Sequence, residues 1–336
     1  MKLDLIVATY NRELLLSRLL ESVRGAAVPP DLRLRVIVAD NNSSDGTASL
    51  VARLQSTWGD ALRYVFEERQ GKSFALNAAL DLADGDVVGF VDDDEQVAPS
   101  WFETVLRVFE DPSVAFASGP YFPNWVSDVP AWLPPDYPAV VGWVDAGPAT
   151  LEYGVNYSGT MMGGNAAIRT HIVKRLGGFN TDIGRIGSNL CGCEDADLSY
   201  RLTASGARGL YVPEMIIYHY VPPERVTKRY YRRWCLHHAV SLASVDDARP
   251  QAVAYFCRIP RYRIGRACRA VPALMSAAIR GRWNTPAAFS AELALWDLAG
   301  FVRGKFFQTP ADLDRSTGAR VRPVQAAEHS VASERG

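Results

Sequence analysis

The stretch Asp86-Val87-Val88-Gly89-Phe90-Val91-Asp92-Asp93-Asp94-Glu95 constrains this chain more than any other. A short apolar run ends abruptly in four consecutive acids. Runs of this length, bounded by Gly and charge, read as a strand buried in a parallel sheet. Ligands of open α/β sheets bind beyond the carboxyl ends of such strands, so this strand delivers carboxylates to a ligand site. Adjacent like charges repel unless something positive sits among them. A divalent cation, Mg²⁺ or Mn²⁺, is the natural candidate, because it favours carboxylate oxygen and bridges to phosphates. The competing reading is a solvated acidic turn.

The preceding residues repeat one pattern. Leu3 to Ala8 reads as a buried strand, followed by Thr9-Tyr10-Asn11-Arg12 and an amphipathic helix from about Glu13 to Val23. Thr and Asn in that turn can cap the helix and offer hydrogen bonds to a ligand. Leu34 to Asp40 is a second strand, and the polar turn 41–47 opens another helix. Leu62 to Glu67 is a third, and Gln70-Gly71-Lys72-Ser73 precedes a helix over Phe74 to Leu82. Alternating βα units predict a parallel sheet flanked by helices. A polar turn is ordinary at any strand end; the recurrence on one sheet edge is the signal.

After Ser100 the alternation breaks. A helix is expected over Trp101 to Phe109 and a strand over Val114 to Gly119. The stretch from Pro120 to Gly147 is rich in Pro and aromatics, among them Trp125, Trp132 and Trp143. Such residues line sugar pockets or cover cores, and both readings stay open. Gly163-Gly164-Asn165 reads as a tight turn into a strand. Glu194-Asp195-Ala196-Asp197 opens a helix whose acids complement the helix dipole. A last strand runs from Tyr211 to His219, and a lone His there is more often structural than a ligand. Beyond Pro222 the chain turns basic and helical. Pro272, Gly281 and Pro286 are expected to divide it into short helices. An apolar helix over Ala287 to Val302 precedes a polar tail from Thr309, expected to be disordered.

At 336 residues the chain can bury a large core in one or two domains. A net charge of -1 implies no global pull toward nucleic acid. The charge is uneven, however: between Arg225 and Arg282 stand thirteen Lys and Arg against two acids, Asp246 and Asp247. Arg-rich helices with interleaved apolar residues read either as an interfacial membrane anchor or as a solvated basic face. Five cysteines give no disulfide framework and favour a reducing compartment. Cys191-Gly-Cys193 lacks zinc spacing. No signal peptide is evident at Met1-Lys2-Leu3-Asp4, and the apolar run from Ala270 to Ile279 is too short to span a bilayer. The expected location is cytoplasmic, with peripheral contact at the inner membrane face through the basic helices.

In chain order stand Thr9-Tyr10-Asn11, Asp40 with its Asn-Asn-Ser-Ser-Asp-Gly-Thr turn, Gly71-Lys72 with Asn77, Asp92-Asp93-Asp94, Gly163-Gly164-Asn165, Gly177-Gly178-Phe179, Glu194-Asp195 and His219. This set resembles the family 2 glycosyltransferases, inverting enzymes that use nucleotide sugars, over roughly residues 3–235. The resemblance implies the GT-A fold, Rossmann-like with a mostly parallel sheet between helices, here with a C-terminal helical extension. It implies a catalytic domain over 1–222, its nucleotide-sugar half about 1–100 and its acceptor half about 100–222. The basic extension would cover 223–308 and the tail 309–336.

The resemblance also implies roles. Thr9, Tyr10 and Asn11 would sit against the base or ribose. Asp40, with Asn42 nearby, would meet a uracil ring, Lys72 the nucleotide or its phosphates, and Asp92 the ribose or metal region, with Asp93 a supporting residue of the nucleotide site. Asp94 matches the metal ligand of a D-x-D motif, and His219 the histidine completing metal or diphosphate binding. Asp195 matches the catalytic base, with Glu194 beside it. Arg233-Trp234, whose Arg233 would help Lys72 stabilise the diphosphate, resembles the end of a Q-x-x-R-W motif, with Tyr230 in place of Gln. That departure, with the missing membrane spans, favours single addition over processive synthesis. Trp125, Trp132 and Trp143 are the acceptor-binding candidates. The expected partners are a UDP-sugar and a sugar or lipid-linked acceptor.

Three rivals share parts of this pattern. A P-loop hydrolase would need Gly five residues before Gly71, where Phe66 stands. A nucleotidyltransferase would want a Gly-rich phosphate loop after the first strand, and Thr9-Tyr10-Asn11-Arg12 has no Gly. A non-catalytic carbohydrate-binding protein would need neither Glu194-Asp195 nor the acid cluster.

Overall fold

A computed structural model of the protein describes residues 1–185, 190, 192–248 and 253–307. The first half follows the predicted alternation: β1 (Lys2–Thr9), α1 (Glu13–Gly25), β2 (Arg33–Asp40), α2 (Thr47–Trp58), β3 (Leu62–Phe66), α3 (Lys72–Leu82) and β4 (Val87–Val91). The four strands pair in parallel in the order β3-β2-β1-β4. All five residues of β4 are buried, as a strand covered on both faces requires. Gly89 lies in its middle because a Cβ there would meet the Trp101 ring at 3.0 Å.

The next elements are β5 (Glu95–Val97), α4 (Trp101–Phe109), β6 (Val114–Ser118), β7 (Tyr121–Trp125), β8 (Leu151–Glu152), β9 (Asn165–Arg169), α5 (Thr170–Arg175), α6 (Glu194–Ala204), β10 (Arg208–Tyr211) and β11 (Ile217–Val221). β9 runs antiparallel between β4 and β6, and β10 and β8 complete an eight-stranded sheet in the order β3-β2-β1-β4-β9-β6-β10-β8. A smaller sheet, β5-β11-β7, forms beyond the acidic end of β4. One apolar layer lies under α1, α2 and α4, the other under α3, α5 and α6.

The single last strand expected from Tyr211 to His219 is two strands in two sheets. β10 pairs with β6, and β11 pairs with β5 and β7. The chain crosses between them at Val212–Ile216. Buried Asn165 pins this crossing, donating to Met215 O at 2.7 Å and Pro120 O at 3.0 Å while accepting from Trp101 Nε1 at 2.9 Å.

The basic C-terminal part is not a run of short helices. It holds α7 (Lys228–Ala248), a small hairpin of β12 (Tyr255–Phe256) and β13 (Ile259–Pro260), α8 (Arg261–Ile279) and α9 (Pro286–Phe306). Pro272 lies inside α8. α9 approaches α7 closely through Gly300 and Gly304, whose added Cβ atoms would meet Leu236 O at 2.4 Å and Val240 O at 2.8 Å. Among the described residues no helix is long and apolar enough to cross a membrane. The tail from Thr309 lies outside the described residues.

Candidate active site

The carboxyl ends of β1, β2 and β4 open into a cleft of about 330 Å³. The β1 turn contributes Thr9, Tyr10, Asn11 and Arg12, the β2 turn Asn41, and the α3 turn Gln70 and Lys72. Asp92, Asp93 and Asp94 form the floor, and His219 and Arg225 close the far side. A second cleft of about 320 Å³ continues past Lys72, Asp92, His219 and Arg225 to Gly163, Gly164, Glu194 and Asp195.

The acids are not interchangeable. Asp93 accepts from Thr9 Oγ1 at 2.8 Å and from Arg12 Nη1 at 2.7 Å. Burial still holds its carboxyl above the usual range, against the pull of Arg12. Burial also opposes ionisation of Asp94, but Arg225, His219 and Arg12 outweigh it and hold that carboxyl well below the usual range. Burial, reinforced by Asp92 and Asp94, pushes Glu95 well above it. Lys72 Nζ sits 2.6 Å from Asp92 Oδ1 and 3.3 Å from Glu194 Oε1, joining the end of β4 to the start of α6. Burial disfavours the Lys72 ammonium, yet those two carboxylates raise its pKa above the ordinary value.

A metal ion fits here. Asp92, Asp94 and Glu95 each offer an oxygen, all within 4.8 Å of one another. An all-oxygen donor set suits Mg²⁺ or Mn²⁺. The expected pairing of Asp94 with His219 changes in detail. His219 Nδ1 donates to Val141 O at 3.0 Å, which leaves Nε2 to accept from Arg225 Nη1 at 2.6 Å. The other guanidinium nitrogen donates to Asp94 Oδ2 at 2.6 Å. Arg225 therefore bridges the two side chains, and burial lowers the His219 pKa against the pull of Asp94.

On the far side, Asp195 stands half-buried in the first turn of α6 and accepts from Gly163 N at 3.1 Å. A Cβ on Gly163 would meet the Asp195 Cβ at 2.8 Å, and one on Gly164 the Glu95 carboxylate at 2.5 Å. The glycine pair thus lets the turn entering β9 pass between the two acids. Glu194 is buried beside Asp195, and burial holds its carboxyl up against the pull of Lys72. Its Oε2 has no hydrogen-bond partner among the described residues.

Several expected contacts are placed elsewhere. Asp40 is fully engaged beneath the cleft, accepting from Ser43 N at 2.8 Å and Tyr64 OH at 2.7 Å. Asn42 reaches Glu68 O at 3.3 Å, whereas Asn41 lines the cleft and ties the α3 turn through Arg69 O and Gly71 N. Arg233 is exposed on α7 and lines neither cleft. None of the three acceptor candidates lines either cleft. Trp132 packs edge-on against Tyr231 and Phe289, Trp125 packs on the same cluster, and Trp143 is 46% exposed. The apolar area of Trp125 and Trp132 joins the 125–141 stretch to α7 and α9. The sequence reading missed Arg12, which follows the Thr-Tyr-Asn turn directly, and Arg225, hidden in a basic run although six residues after His219.

The sequence profile of the family described as Glycosyl transferase family 2 matches residues 4–180. The chain is 28% identical over 226 residues to the glucosyl-dolichyl phosphate glucuronosyltransferase of Haloferax volcanii, covering 65% of this chain and 69% of that protein. It is 28% identical over 227 residues to the succinoglycan biosynthesis protein ExoM of Rhizobium meliloti, covering 67% and 69%. Its fold matches that of the mannosyltransferase PcManGT from Pyrobaculum calidifontis, solved with GDP-Man and Mn²⁺, with a TM-score of 0.61 and 23% identity over 90% of this chain and 87% of that one.

Proposed function

Since the chain belongs to glycosyltransferase family 2 and has the GT-A fold, we propose that it moves one sugar from a nucleotide diphosphate sugar, with UDP the favoured nucleotide, to an acceptor hydroxyl with inversion. The observation that carries this reading is the continuity of the two clefts across Lys72, Asp92, His219 and Arg225. One cleft offers the polar turns of a nucleotide site and the other ends on Asp195.

In this reading Tyr10, Asn11, Asn41 and Gln70 hold the nucleoside. Arg12, Lys72 and Arg225 face the diphosphate, where fixed cations stabilise the charge that develops on departure. A divalent ion at Asp92, Asp94 and Glu95 would supply Lewis-acid neutralisation of the same group. Asp195 takes the proton from the acceptor hydroxyl as its oxygen attacks the anomeric carbon. The bond to the diphosphate oxygen breaks on the opposite face, which inverts the centre. The named relatives are a glucosyl-dolichyl phosphate glucuronosyltransferase and a succinoglycan biosynthesis protein. A lipid-linked sugar in glycan or polysaccharide assembly, met at the cytoplasmic membrane face, is therefore the acceptor class we favour. A carbohydrate-binding protein gains no support, because Trp132 is spent on packing.

The test is release of nucleotide diphosphate from a panel of nucleotide sugars with Mn²⁺ or Mg²⁺, each with a chelator control. Metal-dependent release from a UDP-sugar is expected, and no release from any donor would end the reading. Asp195→Asn should lower turnover by about 10²–10⁴-fold while the donor Kd, measured calorimetrically, stays within a few-fold. Undiminished turnover in that variant would remove Asp195 from the base role.

A further inference from the structure

The proposed transfer reaction leaves an exposed apolar stripe on α8 unused. α8 turns Arg263, Ala267 and Ala270 inward. Arg263 pairs there with Asp297 of α9 at 2.6 Å and lies over the Phe301 ring at 4.4 Å. These contacts fix which side of the helix meets the protein. At 3.6 residues per turn Ile264, Cys268, Val271, Met275 and Ile279 form one stripe about a third of a turn round from that side, between it and the arginine-bearing face. Val271 is 49%, Met275 61% and Ile279 84% exposed, and Trp283, 55% exposed, continues just past the helix end. A contiguous apolar stripe turned to water marks a contact surface.

Charge decides what covers it. No Asp or Glu occurs between Asp247 and Glu292, a stretch holding eight arginines. Arg261, Arg266, Arg269, Arg280 and Arg282 are exposed on or just beyond α8. A second copy packed on the same stripe by a two-fold axis would set these arginines against their equivalents. An anionic bilayer accepts both components: apolar side chains enter the boundary of headgroups and acyl chains, and arginines meet the phosphates.

We infer that α8 lies flat on an anionic lipid surface, with Met275, Ile279 and Trp283 inserted and the flanking arginines at the headgroups. This deepens the proposed lipid-linked acceptor and rests on that reading only for its purpose. A cavity of about 230 Å³ lies behind the helix, lined by Tyr262 and Arg266 of α8 and by residues of α7 and α9. It shares Ala139, Trp234, His238 and Leu242 with the cleft that ends on Asp195.

The experiment is co-sedimentation of the full chain with phosphatidylcholine vesicles, with and without phosphatidylglycerol. Wild type should pellet with the anionic vesicles alone and be released by high salt. Met275→Glu with Ile279→Glu, and separately Arg269→Glu with Arg280→Glu, should each weaken partitioning by about tenfold or more. Melting temperature and nucleotide-sugar hydrolysis should be unchanged in both, since these side chains are exposed and outside the clefts. The inference is overturned if wild type stays in the supernatant, or if the Met275/Ile279 variant binds as well as wild type. A dimer that this variant dissociates, with no vesicle binding, also overturns it and assigns the stripe to a second copy. Vesicle binding without hydrolysis of any donor would sink the transfer reading and leave this one standing.

Discussion

Lys72 shows how one cation can organise a site built from acids. Its ammonium joins Asp92 on β4 to Glu194 on α6, with about a fifth of its side chain exposed. Lys72→Met removes the only charge the structure sets against buried Glu194 among its described ion pairs. Breaking a buried ion pair by removing one partner costs about 3–5 kcal/mol, and on the proposed reading the donor also loses a phosphate contact. Urea unfolding should show that loss, and calorimetry a weaker donor Kd. A variant matching wild type in both would mean that Lys72 organises nothing. The residues joined here differ in how readable they are from sequence. Asp92 to Asp94 announce themselves because an apolar run stops on them. Arg225 does not, since nothing local separates it from Lys228, Arg229 or Arg232. Only the fold brings it 2.6 Å from Asp94, 131 positions earlier. The tryptophans mislead for the opposite reason: burial and sugar stacking use the same side chains, and composition cannot tell them apart.

Elements were most legible where burial and chain direction agree over a short span. The four parallel strands and their turns satisfy that condition, because each apolar run is closed by its own polar turn. The run from Tyr211 to Ile217 does not, since both halves are apolar and only the competing partners β6 and β7 divide them. The C-terminal helices are longer than their sequence suggests, because Pro272 signals a break whereas α8 runs through it. Packing of α9 on α7 sets a stability prediction. Gly300→Val places side-chain atoms against the α7 backbone, 2.4 Å from Leu236 O for the Cβ alone. Overpacking of this kind costs about 1–3 kcal/mol, so thermal melting should fall, and an unchanged melting temperature would show that α9 shifts freely. α7 also carries an acid response. Burial lowers the pKa of His237 and of His238 to about 4. Both are then neutral in the folded chain and bind protons more readily when unfolded. Their contribution is present above the unfolded value of about 6.5 and is lost as pH falls through about 4. His238→Gln should flatten the fall in unfolding free energy across that window by about 1–3 kcal/mol. An identical slope in the variant would place the acid response elsewhere.

On the scale of the whole molecule, the acidic strand end is where three parts of the chain meet. Arg12 comes from the β1 turn, Lys72 from the start of α3, and Arg225 from the segment entering α7. Each neutralises part of the Asp92 to Glu95 cluster, so the acids are held together by the chain's own cations. That arrangement separates metal for activity from metal for folding. A divalent ion entering at Asp94 competes with Arg225, whose guanidinium already holds both Asp94 and His219. A nucleotide diphosphate offers that guanidinium a new anion, so metal and nucleotide should each favour binding of the other. Mn²⁺ alone should then move the melting temperature little, and a chelator should stop turnover without unfolding the protein. Mn²⁺ with the nucleotide diphosphate should raise stability together, by about 2.7 kcal/mol when ligand reaches a hundredfold excess over its Kd. Arg225→Gln should reverse the order, binding Mn²⁺ alone more tightly and the nucleotide diphosphate more weakly. Titration of Mn²⁺ into both proteins, with and without UDP, reads this coupling directly. Equal Mn²⁺ affinity in wild type and variant would show that Arg225 does not compete for Asp94, and the closure of the site would have to be sought in Arg12 instead.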